Sequence, residues 1–356
     1  MRSSSSTVTA VAPDATLAPA LDTRRGVWIG AAAFAVLCGS VVMSVLVGSA
    51  DLSPITVFAS IGSHLGLPVT APPPLLDSVV WNLRLPRVLM AATVGAALAV
   101  CGCVLQAVTG NALADPYLLG ISSGASTGAV AVFVLGVGGG AISLSAGAFA
   151  GALTALAFVI VLLGRRGANT TRIVLIGVVV GQLFSALTSL IVTAAGDAQS
   201  ARGVMYWLLG SMASARWESL GVTSAAVVAA VVAIWARSLD LDGFAFGPDA
   251  AAALGIRVDV ARRVLLIVSA LMTAAVVAAV GSIGFVGLIV PHAVRMLGAA
   301  THRSLLPLSA LAGAVFLVWA DTAARWMFSP QEIPVGVVTA LLGVPAFLFI
   351  AQRRAA

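Results

Sequence analysis

The sequence predicts an all-α polytopic membrane protein with ten transmembrane helices. Three observations point there. Hydrophobic residues make up 60% of the 356 and charged residues only 9%, a balance foreign to soluble globular domains. Apolar runs of spanning length recur along the chain, and the arginines between them divide unevenly between two sides.

The first 26 residues, rich in Ser, Thr and Ala, lack apolar periodicity and read as a disordered tail; residues 27–354 read as one membrane domain. A helix rising 1.5 Å per residue needs about 20 apolar residues to cross a core of about 30 Å. The candidate spans are Val27 to Val47, Val88 to Val108, Leu118 to Val137, Ala141 to Gly164, Ile173 to Ala195, Leu220 to Trp235, Val264 to Val280, Phe285 to Leu297, Leu306 to Met327 and Val335 to Ile350. The first is too long for a signal-peptide core, and Leu37 stands before Cys38 where a lipoprotein cleavage site needs a small residue, so it reads as uncleaved. Between Val264 and Pro291 only "VGSIGFVG" offers a break.

Arg24 and Arg25 place the N-terminus in the cytoplasm, and an even number of spans returns the C-terminus, with Arg353 and Arg354, to the same side. That topology puts 14 of the 19 arginines inside and leaves Arg84, Arg87, Arg202, Arg216 and Arg325 outside. Dropping one span would invert every charge after it. Arg84 and Arg87 thus lie on the unexpected side for topology and call for another reason.

The chain has no Lys, so it contains no Walker A P-loop, and any ATP driving it binds to another chain. No metal-ligand spacing and no nucleic-acid motif occurs. Cys38, Cys101 and Cys103 lie in apolar runs and read as small hydrophobic fillers. The pairs Gly120/Gly124, Gly147/Gly151 and Gly177/Gly181 have the four-residue spacing of close helix contacts. Few ionisable groups fall within the spans, which disfavours an ion-coupled secondary carrier, although unwound backbone could bind sodium in one. An integral membrane enzyme would need paired carboxylates or a His cluster at membrane depth, and the sequence offers neither.

Gln182, Ser185 and Ser189 fall on one face of the fifth span. Two roles stay open: interhelical hydrogen bonding, or lining a wide and weakly interacting pathway. Residues 237–263 are too polar to span and contain a short helix from Asp249 to Leu254, with Pro248 near its first turn and Gly255 ending it. Its exposed face would be Ala rather than Trp, Phe or Leu, so a protein partner fits it better than a lipid surface.

Several blocks resemble the FecCD permease family of type II ABC importers. They are "RLPR" at 84–87, "GNALADPYLLGISSGAS" at 110–126, "MYWLLGS" at 205–211, "GPDAAAALG" at 247–255, "GSIGFVGLIVPHAVRMLG" at 281–298, "HRSLLP" at 302–307, "ADTAAR" at 320–325 and "EIPVGVVTALLGVPAF" at 332–347. The resemblance implies a BtuC-like fold with ten helices per subunit and a dimer, homodimeric or with a sister permease, in the bacterial cytoplasmic membrane. It implies two ABC ATPase subunits, which hold ATP and Mg, and a periplasmic or lipid-anchored substrate-binding protein. By position, Arg84, Arg87 and Arg325 would meet carboxylates of the binding protein, while an intrahelical pair of Arg325 with Asp321 is the other reading of that residue. Gly247, Asp249, Leu254 and Gly255 would belong to the ATPase coupling element. Asn111, Leu113, Thr170 and Thr171 would form the cytoplasmic gate. Departures from the family pattern are Ala112 for a proline, Pro248 for an acid and Thr301 for an aspartate. The function implied is a non-catalytic permease subunit for an iron chelate, a ferric siderophore before haem or cobalamin.

Overall fold

The computed structural model describes residues 23–48, 52–164, 170–195, 198–299, 301–327, 329 and 331–355. Among them the regular elements are all helical. They are α1 (Thr23–Leu46), α2 (Pro54–His64), α3 (Pro74–Ser78), a π-helical turn (Val79–Arg84), α4 (Leu85–Thr109), a 3₁₀ turn (Pro116–Leu119), α5 (Ile121–Leu135), α6 (Leu144–Leu163), α7 (Thr170–Ala195), α8 (Ala198–Leu208), α9 (Trp217–Trp235), α10 (Ser238–Phe244), α11 (Pro248–Ala253), α12 (Val258–Val280), α13 (Val286–Met296), α14 (His302–Trp326) and α15 (Val335–Ala355). Seven helical stretches of the described residues are long and apolar enough to cross a membrane, and three shorter apolar helices are Ile121–Leu135, Val286–Met296 and Val335–Phe349. At 11 residues, α13 rises only ~16 Å, about half a hydrocarbon core.

The second candidate span, read from Val88, belongs to a helical stretch that starts earlier. The second stretch runs unbroken from Pro74 to Thr109, so Arg84 and Arg87 sit within a helix rather than before one. Pro86 lacks an N–H and its ring crowds the preceding turn, and the π-helical turn just before it widens the ladder where that conflict would fall. Two further helices escape a count of spans because they are too short for one. In α2, Pro54 occupies the first turn and Ser53 Oγ accepts a hydrogen bond from Thr56 N at 3.1 Å. The other is α8, which returns toward the bundle before α9 starts.

The core is built around α4, whose apolar residues are buried from Leu85 to Val108 and which packs against α9, α12, α13 and α14. Bare backbone makes this possible. A Cβ on Gly102 would lie 1.9 Å from Gly287 O, and one on Gly95 2.1 Å from Gly313 O. The same device joins α5 to α6, where Gly124 meets Gly151 and Gly128 meets Gly147, as the four-residue spacing of small residues requires.

Three helix breaks meet inside the bundle. The turns at 209–211, 281–285 and 334–336 exchange backbone hydrogen bonds: Ser211 N to Val280 O at 2.8 Å, Val335 N to Gly210 O at 3.0 Å and Gly336 N to Leu209 O at 3.1 Å. Tyr117 completes the set, its Oη accepting from Ile283 N and donating to Ile283 O, both at 2.7 Å. The break at 281–285 is the one "VGSIGFVG" predicts, and it closes on Phe285 in the left-handed region at φ 70°. Removing the phenol by Tyr117→Phe leaves both backbone groups of Ile283 unsatisfied, at about 1–3 kcal/mol for each. The melting temperature in detergent should drop by several degrees, and an unchanged value would show that Tyr117 does not support the break.

Candidate functional site

Two surfaces at opposite ends of the bundle carry the charged and polar residues. The arginine end is formed by the starts of α4 and α9, the end of α14, and α2 and α3. Aromatic rings tie it together: His64 stacks on Trp81 at 4.1 Å, Trp81 lies 4.8 Å from Trp217, and Trp217 Nε1 donates to Trp81 O at 2.8 Å.

The three arginines singled out in the sequence converge on one hollow of about 350 Å³, lined also by Gly48, Arg216 and Glu332. They do not project freely. Arg84 is 7% exposed and donates to Val45 O and Leu46 O at 2.8 and 3.2 Å, capping the last carbonyls of α1, which have no partner within their own helix. Gly48 leaves room for it, since a Cβ there would lie 2.5 Å from Arg84 Nη2. Arg87 clasps Asp321 with Nε and Nη2, at 3.0–3.2 Å, and Glu332 with Nη1, at 2.8 and 3.0 Å. Arg325 donates from Nε to Asp321 Oδ2 at 3.1 Å and from its other nitrogens to Val47 O and Ser44. The intrahelical pair of Arg325 with Asp321, read from the four-residue spacing, is thus present.

Asp321 is 1% exposed and bonded to two arginines, whereas Glu332 is 43% exposed at the mouth of the hollow. Reading the sequence assigned no role to Glu332 or Arg216. Glu332 opens the "EIPVG" block, but only the fold brings it across to Arg87. The Glu332 carbonyl also accepts from Tyr206 Oη.

At the opposite end, α10 and α11 form the loop that the sequence assigns to a partner. The expected short helix from Asp249 to Leu254 is α11, entered through Gly247 at φ 89° and left through Gly255 at φ 83°. Ala251 is buried, while Leu239, Phe246 and Leu254 are 76%, 74% and 68% exposed around a hollow of about 570 Å³. Asp249 is exposed beside them. The loop is pinned to the bundle by Asp242, whose Oδ1 receives His302 N and meets His302 Nδ1, at 2.8 and 2.7 Å.

Between α4 and α5, Asn111 and Leu113 are exposed and form a tight turn, Leu113 N donating to Asn111 Oδ1 at 2.9 Å. Thr171 is exposed in the first turn of α7; Thr170 starts that helix, and its side chain lies outside the described residues. No bond between Asn111 or Leu113 and Thr171 is present among the described residues; the approach of α7 to this connection comes further along both segments, where a Cβ on Gly177 would lie 2.0 Å from Leu118 O. Burial pushes the nearby Asp115 carboxyl up from its ordinary 3.8 to about 6, opposed by the hydrogen bond it accepts from Tyr117 N. Gln182, Ser185 and Ser189 all lie exposed on α7. Of the three, Ser185 reaches another helix, donating to Ser123 Oγ at 3.2 Å, and Ser189 bonds back to Ser185 O at 3.0 Å.

The three cysteines are free, Cys101 and Cys103 buried and Cys38 exposed. Among the described residues no group of three or more His, Cys, Asp or Glu is placed to hold a metal ion.

The FecCD transport family model matches residues 36–353. This chain belongs to the FecCD transport family. It is accordingly an ABC-importer permease and a multi-pass membrane protein. Among similar proteins, the cobalamin import system permease protein BtuC of Halobacterium salinarum is 42% identical over 292 residues, covering 82% of this chain and 76% of the relative. The ABC transporter permease protein YvrB of Bacillus subtilis is 36% identical over 330 residues, covering 90% and 92% of the two chains. A solved structure described as an inward-facing conformation of a metal-chelate type ABC transporter superposes with a TM-score of 0.80 at 31% identity, covering 92% of this chain and 99% of the other.

Two outcomes test these contacts. Asp321→Ala leaves Arg87 and Arg325 buried without their shared counter-ion, a loss on the order of 3–5 kcal/mol, so folded protein recovered by size-exclusion chromatography should fall sharply, while Asp321→Glu should retain part of it. For Asp115, the raised native value means that the folded state binds its proton more tightly than the unfolded state, so stability declines as pH rises from about 4 to about 6 and is level above. The melting temperature of Asp115→Asn minus that of the wild type should therefore grow across that interval, and a constant difference would show that Asp115 is not held protonated by burial.

Proposed function

We propose that this chain is the non-catalytic permease subunit of an ATP-driven importer for a large metal chelate, of the ferric siderophore class. The observation that carries the reading is a membrane body with a partner-facing surface at each end: the arginine hollow at one and the exposed α10–α11 element at the other. The chain has no nucleotide-binding lysine, so ATP and Mg belong to two ABC ATPase subunits seated on α11. Leu239, Phe246 and Leu254 offer them apolar contact, and Asp249 offers charge. The hollow receives a substrate-binding protein, which places the arginine end outside and both chain ends in the cytoplasm. A second permease subunit packs along the exposed α7 face, where Gln182, Ser185 and Ser189 line the path between the two copies. Asn111, Leu113, Thr170 and Thr171 close that path on the cytoplasmic side. Transport proceeds by alternating access, the ATPases moving α11 and Asp242 carrying that motion to α14 through His302.

Docking by carboxylates works here by exchange. Arg87 already holds Glu332 with Nη1, and the exposed Glu332 is the ligand that an incoming carboxylate replaces. The planar guanidinium suits this, since it keeps Asp321 on one edge while the other changes partner. Arg84 and Arg325 supply fixed positive charge that steers the approach.

A cobalamin reading is favoured by the similarity to permeases named for cobalamin import, of Halobacterium salinarum and of Salmonella typhi, the latter at 39% identity over 279 residues. The extracytoplasmic partner separates the two, by calorimetric titration with cyanocobalamin and with ferric siderophores.

The deciding experiment reconstitutes the chain in vesicles with and without the ATPase and binding protein that co-purify with it. Uptake against a gradient should require both partners and ATP. Concentrative uptake by this chain alone would overturn the reading. In the complete system Glu332→Gln should tighten binding-protein capture several-fold at low salt, and Arg87→Glu should weaken it at least tenfold.

A further inference from the structure

At the arginine end a groove of about 480 Å³ runs between α6, α9 and α12, within the size range of small-ligand sites. Small residues line much of it, Ala226 from α9 and Ala275, Ala278 and Ala279 from α12, together with Phe149 and Val222. Alanine where neighbouring positions carry larger side chains leaves a trough between helices. Along α9 the lining extends from Glu218 to Ala226, eight residues or ~12 Å, which is less than half of a ~30 Å core and so lies within one leaflet.

The rim of the groove differs from its floor. Ser145, Ser219 and Glu218 stand there, and Trp217, beside Glu218, belongs to the aromatic cluster with Trp81 and His64. Tryptophan is enriched at the headgroup level of a bilayer. The other described acids of this end are engaged, Asp321 and Glu332 by Arg87 and Asp77 by Ser60 and His64. Glu218 is exposed and has neither an ion pair nor a hydrogen bond among the described residues. The nearby Arg216 turns its guanidinium to the carbonyls of Ala213 and Ala215, at 3.4 and 2.9 Å.

We propose that this groove is a binding site for one phospholipid with a primary-amine headgroup, its acyl chain in the alanine trough and its ammonium on the Glu218 carboxylate. The apolar depth calls for a hydrocarbon chain, and the carboxylate at headgroup level selects a cation and repels an anionic headgroup. A helix of a protein partner fits less well, because the trough runs little more than two turns of α9. The second permease subunit proposed above packs on α7, away from this face.

Native mass spectrometry of the purified chain tests this with equimolar palmitoyl-oleoyl phosphatidylethanolamine and phosphatidylglycerol. The wild type should retain one phosphatidylethanolamine, several-fold over phosphatidylglycerol. Ala279→Trp, which fills the trough, should abolish that adduct. Glu218→Gln, on the exposed rim, should keep a bound lipid but bring the two headgroups to parity. Quenching of tryptophan fluorescence by acyl-brominated phosphatidylethanolamine should fall for Ala279→Leu, which narrows the trough without adding a tryptophan. If Ala279→Trp does not fold, Ala226→Leu takes its place with the same expectation. Equal retention of the two lipids by the wild type, or retention unchanged by filling the trough, would overturn the proposal. Disulfide trapping between two copies through Ala226→Cys would also overturn it, by assigning the groove to a protein.

Discussion

Every backbone group that leaves a helix inside a bilayer must find its partner within the protein, and the architecture turns on how that demand is met at one place. The breaks at 209–211, 281–285 and 334–336 are each untenable alone in hydrocarbon. Together they supply one another with partners, since each donates to or accepts from another, and Tyr117 takes up both backbone groups of Ile283. That mutual satisfaction allows α13 to be as short as 11 residues. Glycine is required where the strands of backbone touch, as at Gly281, where a Cβ would lie 2.2 Å from Trp207 O.

The same logic governs the charges. Asp321 is buried between Arg87 and Arg325, and the cost of desolvating three ions is offset only because the bonds are numerous and short and the outer edge remains wet at Glu332. Arg84 adds a cation whose guanidinium donates to the end carbonyls of α1. The cluster is thus buried at Asp321 and open to solvent at Glu332. At the other end of α14 the contact of Asp242 with His302 joins the polar loop to the bundle. One helix therefore links both ends.

Much of this was legible without coordinates. Composition and run length identify a helical membrane protein, the "VGSIGFVG" break is real, and the short helix ends where Pro248 and Gly255 say it should. The pair of Arg325 with Asp321 is one of the two readings that the sequence offered for that arginine, and it is present. What stayed hidden has a common cause. The helical character of 84–87 was masked because a proline such as Pro86 usually marks a boundary, whereas here a π-helical turn leads directly into α4. The ion pair of Arg87 with Glu332 joins residues 245 positions apart, and nothing local in either sequence block announces the other.

Local chemistry determined the medium, the helical content, the small-residue seams and the ends at which charge collects, because hydropathy, helix-breaking residues and four-residue spacings act over a few turns. Tertiary structure decided which arginines are spent internally, which carboxylate of the cluster stays exposed, and where alanines from separate helices leave a trough. Those outcomes depend on distances between elements remote in sequence. In a bilayer such distances are set by how closely backbones can pack and by which polar groups must meet.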